Sequence, residues 1–303
     1  MRNRILVSAT LLVGMLASSP RTQAQTAPKG AVAPPVSIHL DGWGRVMPKK
    51  GKANPNAAPA PRHDLTGIWE PTKDWRSDVN ATGAKAMPSD GKPEHELPYT
   101  ALGKQMFLAN KPAFGTTAVD AAFTNDPFDT CEPAGFPRIM TFNLRAFQIY
   151  QSATNVGIIY QFNNVWRVIW QDGRQFPKDL STLEPRFYGY SVGKWTDDYT
   201  FVVETKGMDE RTWIDNAGRP HSDELSVQEV YHRIDHDTFE LTVTITDPKI
   251  YTKPWIALNK EPFSLQPADF DIREMLCSPA ESAAFKKEVL NGESGITEDG
   301  KKP

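Results

Sequence analysis

Apolar and polar residues alternate with a period of two in many segments after Pro137, which is the pattern of half-buried β-strands. The alternation is cleanest over residues 239–245, where polar residues separate Phe239, Leu241 and Val243. Short polar turn sequences bound several of these segments. The pattern predicts strands at 138–143, 146–151, 156–162, 165–171, 190–195, 199–205, 225–234, 238–246 and 263–274.

Nine short strands without helix-length crossovers between them predict a mainly β fold, arranged as an antiparallel meander. An open meander of this length would leave long strand edges exposed, and closing the sheet removes them. We therefore expect a barrel or a strongly bent sheet. A helix over 99–110, ended by Lys111-Pro112, is predicted before the sheet, and a C-terminal helix begins at Pro279 and ends near Leu290.

The N-terminus has the composition of a targeting signal. Arg2 and Arg4 precede an uncharged, mostly apolar run over 5–17, and Thr22-Gln23-Ala24 places small residues at the positions that a signal peptidase reads. The run is shorter than the ~20 residues that a membrane-spanning helix needs. We predict a cleaved signal peptide (1–24) and a periplasmic or secreted protein without membrane insertion after cleavage; the alternative is an uncleaved anchor helix.

The rest of the chain divides by composition. Residues 25–62 are rich in Pro, Ala and Lys and are predicted to be a linker, 63–292 a single β-rich domain, and 293–303 a polar tail. Cleavage would remove three arginines and no acidic residue, which changes the net charge from −3 to −6. A chain this acidic argues against nucleic acid as a partner. No feature of the sequence favours a particular oligomeric state.

Export changes the interpretation of the two cysteines. In an oxidising compartment Cys131 and Cys277 are expected to form a disulfide. The alternatives are two buried free thiols or one catalytic thiolate. Cys131 lies in Thr-Cys-Glu-Pro, which supplies no neighbouring base to lower a thiol pKa.

The segment 208–225 joins two predicted strands but is too long for a hairpin turn, and long connections of this kind are often functional. It contains the candidate catalytic residues. Asp215 or His221 can act as a general base, Arg211 can stabilise an anion, and Asp223 can hold the imidazole of His221 in one tautomer. The alternative is a salt-bridged, Trp-anchored connection that plugs one end of the barrel.

Aromatic residues suggest a ligand site. If some of them face the interior of a barrel, the cavity suits an apolar or aromatic small molecule. The candidate ligand-binding residues are Arg174, Tyr188, Trp213, Tyr251 and Trp255. The alternative is that the aromatic residues fill the core.

No metal site and no cofactor are predicted. The six histidines are not part of a His-Glu-x-x-His or Cys-x-x-Cys motif, and the chain contains no phosphate loop or dinucleotide fingerprint.

Two resemblances add to this interpretation. Gly67-Ile68-Trp69 is similar to the Gly-x-Trp that begins the first strand of lipocalins, where the Trp closes one end of the barrel; it implies a lipocalin-like barrel. Longer strings, covering about 64–290, resemble a family of exported bacterial proteins without an assigned activity, so no catalytic residue is carried over. The strings are Asn125-Asp126-Pro127, residues 131–138, 188–195 and 209–213, His221-Ser222-Asp223-Glu224, and residues 247–255 and 273–277.

Two functions remain from different classes. The first is an exported binding protein that holds an apolar or aromatic small molecule in a β-barrel cavity. The alternative is a cofactor-independent periplasmic hydrolase, lyase or isomerase that uses the 208–225 segment. A scaffold for envelope assembly is a third possibility that no feature favours or opposes.

Overall fold

The structure is a computed structural model that describes residues 56–72, 82–141, 146–180, 186–272 and 274–290. These residues belong to one compact unit, Ser37–Pro303, and the unit Met1–Val36 lies outside them. The predicted signal peptide (1–24), the linker up to residue 55 and the polar tail (293–303) also lie outside the described residues. No helix among the described residues has the length and apolar character needed to cross a membrane.

Nine strands form a closed barrel in which each strand pairs with its neighbours in the sequence and β1 pairs with β9. All neighbouring pairs are antiparallel except β4 and β5, which are parallel. The strands are β1 (Gly67–Pro71), β2 (Phe147–Gln151), β3 (Asn155–Tyr160), β4 (Trp166–Trp170), β5 (Tyr190–Trp195), β6 (Thr200–Lys206), β7 (Ser226–Arg233), β8 (Thr238–Thr246) and β9 (Trp255–Leu265). The prediction of a mainly β, lipocalin-like barrel is confirmed.

The described residues include three α-helices besides the barrel: α1 (Ala101–Ala109), α2 (Arg138–Thr141) and α3 (Pro279–Leu290). The two predicted helices correspond to α1 and α3. The Thr100 side chain accepts a hydrogen bond from the Gly103 amide and so defines the start of α1.

Two of the predicted strands are wrong in type or in position. Residues 138–141 form α2 instead of a strand, because Pro137 is well suited to the first turn of a helix and its carbonyl accepts from the amides of Met140 and Thr141. The predicted strand 263–274 contains only the end of β9. A positive φ of 52° at Lys260 and the following Pro262 interrupt the alternation, so the sequence pattern misses the first half of β9.

The barrel core is packed with aromatic rings. Trp69 of β1 contacts Phe239 of β8 at 4.6 Å between ring centroids, and Phe239 stacks on Phe263 of β9 at 5.0 Å. Phe147 and Tyr231 complete this cluster, and all five side chains are buried. Burying each such side chain contributes about 1.5–3 kcal/mol, so this cluster is a major source of barrel stability.

The β1–β2 and β6–β7 connections leave the same end of the barrel, because β1 and β6 run in the same direction. Their described residues, 82–141 and 207–225, pack on each other and are called the cap. Gly135 shows how closely they approach: a Cβ added there would lie 2.5 Å from Thr212 Oγ1, and its φ of +73° also favours glycine.

A disulfide and buried ion pairs hold the cap. Arg138 forms a bidentate pair with Asp126, at 2.7 and 2.6 Å, and both side chains are almost fully buried. The predicted disulfide between Cys131 and Cys277 is present, with a Cα–Cα distance of 5.5 Å. It attaches the β1–β2 connection to the segment that precedes α3.

Candidate functional site

The four candidate catalytic residues of the β6–β7 connection are held in separate contacts. Arg211 is exposed and donates to the Asp209 carboxylate at 2.9 and 2.7 Å. Asp223 is also exposed, and its carboxylate pairs with Lys249 Nζ at 2.6 Å. Asp215 and His221 are buried within the cap. The four side chains therefore do not share one site.

His221 is held by backbone and hydroxyl partners, and Asp223 does not orient it. Nδ1 donates to the Ser222 carbonyl at 3.0 Å, which leaves Nε2 as the acceptor of the neutral ring, 2.9 Å from Thr212 Oγ1. The side chain is fully buried, and this burial lowers the pKa of His221. The expected pairing of His221 with Asp223 is corrected: the imidazole is a neutral structural group.

Asp215 is the one candidate base that lies beside a cleft. Its Oδ2 accepts from Arg219 Nη1 at 3.0 Å and from the Ala84 amide at 2.9 Å, while Oδ1 accepts from the Ala217 amide. These contacts join both parts of the cap around one buried carboxylate. Three donors, one of them cationic, fix the orientation of this carboxylate, so it is suited to position Arg219.

The cleft has a volume of about 190 Å³ and is formed almost entirely by the β1–β2 connection. Arg219 is its most buried lining side chain, with 2% exposure. Tyr99 and Phe107 form an aromatic wall, with ring centroids 5.1 Å apart and an interplanar angle of 18°. The lining also includes Ser89 and Thr116, and the charged or titratable residues Lys92, His95, Glu96 and Lys104. We call it the Arg219 cleft.

Two buried donors beside this cleft have no hydrogen-bond partner in the described part of the chain. They are Arg219 Nε and Trp255 Nε1, and the Arg219 guanidinium lies 5.4 Å from the Trp255 ring. Buried polar groups are almost always paired with protein, water or a ligand. Arg219 therefore brings a buried cation to the wall of the cleft, and one nitrogen of that cation has no partner among the described residues.

The cations around the opening are available to a ligand. Lys104 pairs with Glu96 at 3.5 Å and Lys92 with Asp90 at 3.4 Å, and both lysine side chains are about half exposed. Exposed pairs of this kind contribute about 0–1 kcal/mol, so either lysine can exchange its partner for a ligand anion at little cost.

The five candidate ligand-binding residues lie in different places. Tyr251 and Trp255 stand behind Arg219, and the Tyr251 hydroxyl donates to the Pro220 carbonyl at 2.9 Å. Trp213 lies in the cap, 5.6 Å from the Arg138 guanidinium. Arg174 stacks on Trp170 at 3.6 Å on the barrel wall. The Tyr188 hydroxyl is buried, and burial raises its pKa to about 12.

A second polar cluster lies inside the barrel. Arg167 donates to both carboxylate oxygens of Glu229, at 3.0 and 2.5 Å, and also to the hydroxyls of Ser191 and Thr205. Tyr231 donates to the same carboxylate at 2.7 Å. All five side chains are buried, and they satisfy one another's hydrogen bonds. We therefore interpret this cluster as structural.

Sequence reasoning did not select Arg219, Tyr99, Phe107 or the two hydroxyl residues. Arg219 lies inside the segment that was singled out, four residues after Asp215, and this spacing was the available signal. Tyr99 and Phe107 belong to the predicted helix 99–110, but helical spacing does not show which part of the fold that helix faces. Ser89 and Thr116 come from turn-rich segments without a regular hydrophobic pattern.

The comparisons with known proteins supply no function for the cleft. The chain matches no protein-family model, and no curated protein is significantly similar to it. Among the described residues, no group of three or more His, Cys, Asp or Glu side chains is placed to hold a metal ion. The site is therefore interpreted from its own chemistry.

Proposed function

We propose that the protein is an exported binding protein for a small organic anion, and that the ligand binds in the Arg219 cleft. The observation that carries the proposal is the buried Arg219 guanidinium, whose Nε has no partner in the described structure although the residue lines an open cleft. A ligand carboxylate would accept a charge-assisted hydrogen bond from this group.

The cleft favours a ligand with a planar apolar part. The stacked Tyr99 and Phe107 rings offer an aromatic wall, and the two lysines supply positive charge at the opening. The volume of about 190 Å³ is below the ~300–1,000 Å³ of pockets for drug-sized ligands. An aromatic carboxylate with a single ring fits these requirements.

The proposed site lies in the cap, whereas the sequence suggested a ligand site inside the barrel cavity. The rings of Trp69, Phe239 and Phe263 occupy the barrel core in mutual contact, which supports a site in the cap. The disulfide supports an oxidising compartment, and export through a cleaved signal peptide is part of the proposal.

Calorimetric titration with benzoate tests the site. Arg219→Lys keeps the positive charge beside Asp215 but removes the planar guanidinium. It is expected to weaken benzoate binding at least tenfold, the equivalent of about 1.4 kcal/mol for a lost charge-assisted hydrogen bond. Lys104→Gln should weaken binding less, and Lys194→Gln, an exposed position on β5, should leave it unchanged. If Arg219→Lys folds normally and binds benzoate as the wild type does, the cleft is not the site.

Native mass spectrometry of protein purified from the periplasm adds a test without a chosen ligand. A small organic acid that is retained by the wild type, released on denaturation and absent from Arg219→Lys would support the proposal. A retained molecule that is equally present in both proteins would place ligand binding elsewhere.

A further inference from the structure

The outer face of β2, β3 and β4 forms a continuous surface that we call the outer grid. Adjacent strands place their outward residues opposite one another: Gln148 faces Ile159, which faces Trp166, and Tyr150 faces Gly157. Eight outward positions make up the grid: Gln148, Tyr150, Asn155, Gly157, Ile159, Trp166, Val168 and Trp170.

Three large apolar side chains of the grid are exposed. Trp166 is 71% exposed, Tyr150 49% and Ile159 38%, whereas the inward neighbours on these strands are buried. A contiguous exposed apolar patch on a folded protein usually marks an interaction site, since isolated apolar residues suffice for an ordinary surface. The grid is therefore a candidate binding surface.

The grid also has a depression and no charged side chain of its own, although the Arg174 guanidinium, which is paired with Asp172, lies over the Trp170 ring at one end of the grid. A Cβ added at Gly157 would meet only the Tyr150 carbonyl oxygen, at 3.9 Å, so there is open space at the centre of the three strands. None of the eight residues is charged, although 23% of the whole chain is. The amides of Gln148 and Asn155 are the polar groups of the surface. Its partner is expected to be uncharged, with both apolar faces and hydrogen-bonding groups.

The size of the grid separates the uncharged partners. With about 150–250 Å² for a large side chain, the three exposed residues present roughly 350 Å². A stable protein dimer buries about 800 Å² on each side, so the exposed apolar side chains of the grid amount to less than half of such an interface. Tyr150 on β2 and Trp166 on β4 are separated by two strand spacings across the sheet and by two residues along the strand. At the usual spacings this is a distance of ~12 Å. A single sugar ring does not span that distance, but an oligosaccharide does.

We propose that the outer grid binds a neutral polysaccharide. Aromatic rings at Tyr150 and Trp166 stack on the apolar faces of two sugar rings, and the chain between them passes over the depression at Gly157. The amides of Gln148 and Asn155 bond to sugar hydroxyls. This surface is separate from the Arg219 cleft, and neither proposal depends on the other.

Calorimetry with cellohexaose, maltohexaose and chitohexaose tests the proposal. At least one of these uncharged hexasaccharides is expected to bind the wild type. Trp166→Ala should weaken binding about tenfold or more, as expected for the loss of one stacked ring. Gly157→Val should also weaken it, because the side chain fills the depression while its Cβ meets no close atom. The matched control is Phe285→Ala on α3, where another ring is 51% exposed.

Each other outcome overturns the proposal. These are the absence of binding by all three hexasaccharides, unchanged binding by both grid variants, or equal weakening in Phe285→Ala. Sedimentation of the wild type as a dimer that Trp166→Ala converts to a monomer would assign the surface to a second copy instead. Benzoate binding should be unchanged in Trp166→Ala, which keeps this test distinct from that of the Arg219 cleft.

Discussion

At the scale of single residues, a notable feature of this protein is that its interior contains buried ion pairs. Arg167 and Glu229 lie fully inside the barrel, and Arg138 and Asp126 within the cap. Removing such charges from water costs several kcal/mol per ion, and good geometry between the partners offsets that cost. Each pair is therefore sensitive to the loss of one member.

We expect Glu229→Gln to lower the free energy of unfolding by about 3–5 kcal/mol, because it leaves the buried Arg167 charge without its partner. Urea unfolding followed by tryptophan fluorescence measures this. Glu204→Gln, at a half-exposed position on β6, should change the free energy by less than ~1 kcal/mol. Replacing both members, as in R167M/E229L, should cost less than Glu229→Gln alone; equal losses in all three variants would contradict the pairing.

His221 predicts a pH dependence of stability. Its pKa is lowered by burial in the folded chain, whereas the unfolded residue titrates near 6.5. As the pH falls through 6.5, the unfolded state takes up a proton that the folded state refuses, so stability decreases by up to ~1.4 kcal/mol per pH unit. Unfolding measured between pH 7.5 and 5.5 should show a smaller decrease in His221→Gln.

At the scale of elements, strand prediction succeeds where one face of a strand is buried and fails where the chain bends. β8 alternates over its length and was predicted with its bounds, 238–246, and β7 was predicted within one residue at each end. The first half of β9 was missed because Lys260 and Pro262 interrupt its alternation. Residues 138–141 are too few for their hydrophobic pattern to distinguish a helical turn from a strand. The preceding Pro137 favours the helical turn.

The disulfide determines how firmly α3 is attached to the rest of the chain. Cys131 and Cys277 are 146 residues apart, and removing such a link costs about 2–5 kcal/mol. The Ser282 hydroxyl of α3 also donates to the Asp129 carbonyl, next to the bridge.

In C131S/C277S we therefore expect α3 to exchange its amide hydrogens first, with β6, β7 and β8 still protected. Hydrogen exchange followed by mass spectrometry, compared with reduced wild type, measures the order. Simultaneous loss of protection in α3 and in the barrel would show that the bridge stabilises the whole fold.

At the scale of the whole molecule, the barrel supports a cap that comes from two connections distant in the sequence. The Arg219 cleft takes its buried guanidinium from 207–225, and its aromatic wall and the lysines at its opening from 82–141. Sequence patterns identify elements because neighbouring residues share one local period, but no such period relates Tyr99 to Arg219. The barrel was therefore predictable, and the disulfide was predictable from the two cysteines together with the expected signal peptide, whereas the cleft required the tertiary structure.

This arrangement predicts that ligand binding and cap docking are linked. If benzoate binds the Arg219 cleft, as proposed, it stabilises only those states in which both connections are docked, so it should slow hydrogen exchange in 82–141 and 207–225. The turns at the opposite end of the barrel, 152–154 and 234–237, should exchange at the same rate with and without benzoate.

Asp126→Asn supplies the reverse experiment, because it weakens the buried pair with Arg138 that holds the cap. It should speed exchange in the cap, and it should weaken benzoate binding by the factor by which the docked population falls. Asp172→Asn, which removes an aspartate–arginine pair at the other end of the barrel, should change neither. The contradicting outcome is faster exchange of the cap in Asp126→Asn together with wild-type benzoate affinity. Cap docking and benzoate binding would then be independent, and the ligand would bind a surface that does not need the docked cap.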